Sequence, residues 1–150
     1  MNNLVRFCAT FFYIGYLPFA PGSTATIAGA LLYFALRQHL VVYVLLFAAI
    51  TWIGFAVSGR MEDLCTEKDP SCIVIDEVSG VMIAFFMLPW NPPVVWTAFF
   101  LFRAFDMFKI YPVNKFEEHP GGTSIMMDDI MAGIYTNLTM HLAIRLAGMG

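Results

Sequence analysis

An all-α fold, a compact bundle of membrane helices, is what this 150-residue sequence predicts. Two observations carry that expectation. Hydrophobic residues make up 59% of the chain and charged residues 13%, against about 45–50% and about 25% in soluble domains. Mean hydropathy is +0.72. The apolar residues also fall into runs of near-helical span length, separated by short polar or proline-rich breaks. Against this background eight charges gather in three places: Asp69-Pro70 to Asp76-Glu77, Arg103/Asp106/Lys109, and Asp128-Asp129. Ionised groups beside long apolar runs are costly unless they pair, bind a cation or sit at a polar boundary.

In chain order, residues 4–19 (LVRFCATFFYIGYLPF) hold Gly15 and Pro18 and run into Pro21. That is too broken for a crossing, so an N-terminal interfacial or re-entrant helix is expected. The Pro in Ala20-Pro21-Gly22 stands where a small-residue cleavage site should run on, so no cleavable signal is expected. Residues 24–36 and 40–59 form a first hairpin turning at Arg37-Gln38-His39. Residues 78–90 and 94–102 form a second, broken at Asn91-Pro92-Pro93, where one helix must end and the next begin. Residues 130–147 make the last span. A hydrocarbon core of about 30 Å needs about 20 helical residues. Only 40–59 meets that without its flanking polar residues, so the hairpins are short transmembrane ones. The polar stretches 60–72 and 110–127 are too small for a core of their own, which leaves one domain over 1–150.

The second hairpin makes a geometric prediction. Glu77 and Asp76 lie 14 and 15 residues before Asn91, and Arg103 and Asp106 lie 12 and 15 after it. At 1.5 Å per residue both groups stand roughly 18–23 Å from the turn, so folding the hairpin brings them to one depth. Arg103, Asp106 and Lys109 recur at i, i+3, i+6 and share a helix face. Lys and Arg concentrate in 60–77 and 103–127, which places both charged loops on the cytoplasmic side. The start of 24–36 and the Asp128-Asp129 start of the last helix then fall on that side too.

Charge and cysteines exclude other classes. A net charge of −3 lacks the basic patch that nucleic acid requires. Cys8, Cys65 and Cys72 form no short zinc-binding pair and leave an odd thiol, so reduced cysteines are expected. Carboxylates from three helices, Asp76/Glu77, Asp106 and Asp128/Asp129, offer three to five oxygen ligands, the set preferred by magnesium or manganese. Helix capping is the ordinary alternative for Asp76 and Asp128, but it explains neither the doubled acids nor Asp106. Gly121-Gly122-Thr123-Ser124 and Ala20-Pro21-Gly22-Ser23-Thr24 read as anion cradles at helix starts, with Arg103 and Lys109 as cationic clamps. A proton- or ion-coupled transporter is the competing class. Acids near one face rather than at mid-depth, and no paired broken-helix repeat, speak against it.

Four motifs in order carry a family resemblance: Gly15-x-x-Pro18-x-Ala20-Pro21-Gly22-Ser23; Asp69-Pro70 with Ile73-Val74-Ile75-Asp76-Glu77-Val78-x-Gly80; Phe102-Arg103-x-Phe105-Asp106-x-x-Lys109; and Gly121-Gly122 with Ile125-Met126-x-Asp128-Asp129-x-x-Ala132-Gly133. From about Gly15 to Tyr135 the chain resembles the phosphatidylglycerophosphatase A family. Ser23 stands where the family usually has Thr, Ile110 where Pro commonly follows the Lys, and Ser124 where a Gly precedes Ile-Met. None of these changes removes a carboxylate or a cation.

The resemblance implies a Mg2+-dependent lipid phosphomonoesterase at the inner leaflet of the bacterial cytoplasmic membrane. It would remove the terminal phosphate of phosphatidylglycerophosphate to give phosphatidylglycerol in phospholipid biosynthesis. Asp76, Glu77, Asp106, Asp128 and Asp129 are then the expected metal ligands. Asp129, Asp106, Lys109 and Arg103 are the expected catalytic groups, with Ser23, Thr24, Arg103, Lys109, Gly121, Gly122 and Thr123 on the phosphate. Membrane lipids are the expected surroundings. The nucleophile, water or a carboxylate, stays open, as does assembly into a homo-oligomer.

Overall fold

The computed structural model describes residues 2–66, 70–108 and 122–148, and these are all-helical, with no strand among them. The helices are α1 (Asn2–Ala9), α2 (Pro21–Leu36), α3 (Leu40–Cys65), α4 (Ile75–Phe85), α5 (Pro92–Phe108) and α6 (Gly122–Leu146), with a 3-10 turn at Ile14–Tyr16 between α1 and α2.

Among the described residues, α3 is the helix long and apolar enough to cross a membrane. Its 26 residues span about 39 Å, and Val41, Leu45 and Trp52 on it are exposed. The shorter α2 is also apolar. Residues 78–90, expected as one arm of a short transmembrane hairpin, behave differently. The helix there has 11 residues and stops at Phe85, and nine of them are buried. At about 16 Å it cannot cross a bilayer core. It is the central post of the bundle, enclosed by α2, α3, α5 and α6.

The closest packing is between α4 and α6, and glycines permit it. A Cβ on Gly80 would lie 2.5 Å from the carbonyl oxygen of Asp129, and one on Gly133 would lie 2.2 Å from that of Gly80. The two backbones therefore touch. Further along, Asn137 Nδ2 donates to the carbonyls of Ala84 (3.2 Å) and Phe86 (2.8 Å), which α4 leaves open at its end. Residues 129, 133 and 137 thus pair in order with positions near 80, 80–83 and 84–86, so α4 and α6 run in the same direction. Two tyrosines tie the outer helices to this post and to the turn that follows it. Tyr33 of α2 donates to Leu88 O (2.6 Å) and Tyr43 of α3 to Met82 O.

Local signals explain most boundaries. Asn91 Oδ1 accepts from Val94 N–H at 2.9 Å, and Pro92 and Pro93 occupy first-turn positions whose N–H groups are dispensable. The N-terminal element is a helix followed by a tight turn, with Phe11, Phe12, Tyr13 and Ala20 at positive φ. Buried Thr10 organises that turn by donating to Arg6 O (2.7 Å) and accepting from Tyr13 N–H (3.1 Å). The last helix begins at Gly122 and not at Asp128-Asp129, so both acids lie inside it.

Because the Gly80/Gly133 contact holds two backbones together, Gly133→Val should cost the detergent-solubilised protein the ~1–3 kcal/mol of core overpacking, a fall of at least about 4 °C in melting temperature at the upper end of that range. A circular-dichroism melt within a degree or two of the parent would contradict that packing.

Candidate active site

The glycine contact also sets the acids. Asp76 precedes Gly80 by four residues and Asp129 precedes Gly133 by four, one helical turn on the same face. Crossing at the glycines therefore swings both carboxylates into one space, with Glu77 beside them. One oxygen each from Asp76, Glu77 and Asp129 lie within 4.8 Å of one another. A single divalent cation can bridge ligands so arranged.

Arg103 of α5 closes the opposite side. Its Nη1 lies 2.9 Å from Asp106 Oδ2 and 3.8 Å from Glu77 Oε1, so the depth match expected across the Asn91-Pro92-Pro93 turn is present. Gly22, in the first turn of α2, makes room for this pair. A Cβ there would lie 2.1 Å from Glu77 Oε1 and 3.3 Å from Arg103 Nη1. The resulting cleft of about 360 Å3 is lined by Ser23, Asp76, Glu77, Arg103, Asp106, Asp128 and Asp129, with Ala20–Gly22, Pro70, Ser71, Ile73 and Ile125 completing it.

Electrostatically the cleft is overloaded with negative charge. Glu77 and Asp129 lie just outside the apolar segments 78–90 and 130–147. Burial, then repulsion from Asp129, holds the Glu77 carboxyl well above the usual carboxylate range, and Arg103 offsets this only in part. Asp129 is likewise pushed well up, by burial first and then by Asp76 and Asp106. Glu77 Oε2 and Asp129 Oδ2 are buried without a hydrogen-bond partner. Burying a carboxylate oxygen without a partner is costly, and a bound cation removes that cost.

Other expected site residues lie elsewhere. The Thr24 hydroxyl donates back to Ala20 O at 3.2 Å, and Thr24 is not among the lining residues. Gly122 opens α6 against α3, where a Cβ would lie 2.2 Å from Gly59 N. It serves helix packing, and Thr123 beside it is exposed. Neither lines the cleft. Lys109 and Gly121 lie outside the described residues. Capping does not account for the acids either. Val74 holds the capping position of α4 and makes no side-chain cap, while Asp128 is the seventh residue of α6. Two glycines matter here that were not expected among the site residues, Gly80 and Gly133, and Gly22, expected only as part of an anion cradle, makes room for the Glu77–Arg103 pair. The acid-x-x-x-Gly spacing shared by Asp76/Gly80 and Asp129/Gly133 is the signal that could have exposed two of them.

These features define a helical protein whose acidic, cation-attracting cleft opens at one end of a bundle of apolar helices. Comparisons with known proteins agree on what it is. The profile of the family described as Phosphatidylglycerophosphatase A matches residues 7–144. The chain is 35% identical over 143 residues to a Bacteroides thetaiotaomicron protein provisionally named phosphatidylinositol-3-phosphatase, covering 89% of each chain. It is 33% identical to the phosphatidylglycerophosphatase A of Haemophilus influenzae, covering 89% of this chain and 84% of that one. Against the Escherichia coli K12 enzyme of the same name it is 32% identical, covering 89% and 80%. No solved structure matches. The chain belongs to the phosphatidylglycerophosphatase A family and is a phosphatase.

Since the buried acids repel one another, Asp129→Asn should melt roughly 2–4 °C above the parent in divalent-free detergent, the shift of about 1 kcal/mol in a domain of this size. A lower melting temperature would show that Asp129 contributes attraction rather than repulsion.

Proposed function

We propose that this protein hydrolyses the terminal phosphomonoester of phosphatidylglycerophosphate to phosphatidylglycerol and inorganic phosphate, in phospholipid biosynthesis, at the cytoplasmic face of a bacterial inner membrane. The convergence of Asp76, Glu77 and Asp129 beside Arg103 carries this reading. The names of the Haemophilus and Escherichia relatives supply the substrate. A multi-pass arrangement, with α3 crossing and the shorter helices packed around it, lets the lipid keep its acyl chains in the bilayer while its headgroup enters the cleft.

Mg2+ fits the cleft on the chemistry of its donors: all are oxygens, they crowd together, and two are buried without a hydrogen-bond partner. Asp76, Glu77 and Asp129 would hold it, with Asp106 and Asp128 nearby. When bound, it supplies positive charge to the phosphoryl group. The chain's own residues do the rest. Arg103, oriented by Asp106, binds the non-bridging phosphate oxygens and neutralises their charge as the bond to the leaving oxygen breaks. Ser23, on the first turn of α2, presents its hydroxyl and the helix's positive end to the same oxygens. A cleft carboxylate takes the proton released as water attacks phosphorus and passes it to the departing glycerol oxygen, so that the alcohol leaves neutral and the carboxylate is restored. We assign that acceptor role to Asp129, the more deeply buried of the α6 acids. Lys109, three residues after Asp106 in sequence, is the further cation of this scheme.

One observation favours a second headgroup. The Bacteroides relative, matched over 89% of its length, carries a phosphoinositide phosphatase name. Both substrates present a phosphomonoester on a polyol.

Phosphate release from each lipid in mixed micelles tests the reading. Phosphatidylglycerophosphate should be the better substrate, EDTA should abolish turnover, and added Mg2+ should restore it. Asp129→Asn should lose at least 100-fold in kcat while remaining folded, and Arg103→Ala should raise KM as well as lower kcat. Undiminished turnover in EDTA, or in Asp129→Asn, would refute the assignment. Preference for phosphatidylinositol 3-phosphate would establish the second headgroup in its place.

A further inference from the structure

A pair of thiols stands at the edge of the cleft. Cys65 and Cys72 bring their Sγ atoms to 3.8 Å, and both residues are half-buried. Cys65 is the last residue of α3. It is followed by Thr66 at φ 54°, whose hydroxyl donates to the Cys65 carbonyl at 2.7 Å. Cys72 lies between Ser71 and Ile73, and both of these line the cleft.

The backbone at Cys72 has little room to move. Its carbonyl rests on Gly15, where a Cβ would lie 1.9 Å from the oxygen. On its C-terminal side, Ile73 N–H donates to Pro70 O (2.9 Å) and Val74 N–H to Ala9 O (3.0 Å). Disulfide sulfurs stand about 2.05 Å apart, so a bond would close the 3.8 Å gap by about 1.8 Å. Rotation of the two cysteine side chains and a shift of the end of α3 would share that movement.

We propose that Cys65 and Cys72 form a reversible disulfide, made by exchange with a small-molecule disulfide of the glutathione class, that ties α3 to the cleft wall and lowers phosphatase turnover. One cysteine attacks the external disulfide, forming a mixed disulfide and displacing one small thiol. The second cysteine attacks the protein sulfur of that mixed disulfide and displaces the other. Two protein thiols are oxidised, one external disulfide is reduced, and the two cysteine protons end on the two released thiols. With the Cys72 backbone held, the bond pulls the end of α3 onto the wall beside Ser71, so the cost falls on the placement of substrate opposite the acids.

Purified protein is incubated with oxidised glutathione, its remaining thiols are alkylated, and its peptides are mapped by mass spectrometry. The expected result is a Cys65–Cys72 cross-link with Cys8 alkylated, at least a threefold fall in phosphate release from phosphatidylglycerophosphate micelles, and recovery in dithiothreitol. Cys65→Ser and Cys72→Ser should keep basal turnover and lose the response, whereas Cys8→Ser should keep it. Alkylation of both Cys65 and Cys72 throughout a glutathione titration would overturn the proposal. A complete cross-link with unchanged turnover would overturn its control of the cleft. Mapping the cross-link needs no substrate, so the redox pair and the lipid substrate fail independently.

Discussion

The contact between Gly80 and Gly133 is the constraint on which the rest of this structure depends. With no side chain at either position, α4 and α6 approach until backbone meets backbone. The acid one turn upstream of each glycine is carried into the same space. Nothing in the local chemistry of Asp76 or Asp129 would bring them together, since like charges repel and burial penalises both. Packing elsewhere holds them there. The apolar side chains Val78, Val81, Met82 and Phe85 are buried around α4, and Asn137, Tyr33 and Tyr43 bind carbonyls toward its far end. Stability built at one end of the bundle thus sustains an electrostatically unfavourable site at the other.

That division of labour suits a phosphatase. A cleft that holds several carboxylates against their mutual repulsion attracts positive charge before any substrate arrives, and in the proposed mechanism it is the cation held there, not the carboxylates, that would face the phosphoryl group. Arg103 reaches the cleft from α5, where Asp106 on its own helix aligns it and the neighbouring Phe102 packs beside Gly80. Gly22 adds a third close approach, this time of α2 to the Glu77–Arg103 pair. Helices therefore meet at the acids backbone to backbone on one side and backbone to side chain on the other.

Much of this was legible in the sequence, but unevenly. The turn at Asn91-Pro92-Pro93 was fixed by local chemistry, and counting residues from it correctly placed Glu77 opposite Arg103. The role of α4 was not legible, because hydropathy measures how apolar a segment is and not whether lipid or protein surrounds it. The extent of α6 was misjudged for a related reason. Gly121-Gly122-Thr123-Ser124 reads as an anion cradle ahead of the helix, yet Gly122 sits in the first turn, where α3 leaves no room for a larger residue. Thr24 and Thr123 have the right chemistry for an anion cradle, but helix geometry directs them away from the cleft. Close packing of glycines is a property of two elements at once, and a single chain read in order shows only half of each contact.

The central claim is that α4 and α6 together build one divalent-cation site. Titration of the purified, metal-free protein with Mn2+, followed by electron paramagnetic resonance, measures this directly and independently of turnover. One ion bound per chain, with binding lost in both Asp76→Asn and Asp129→Asn, is the expected result. Absence of binding in the parent, or unchanged binding in either variant, would contradict it.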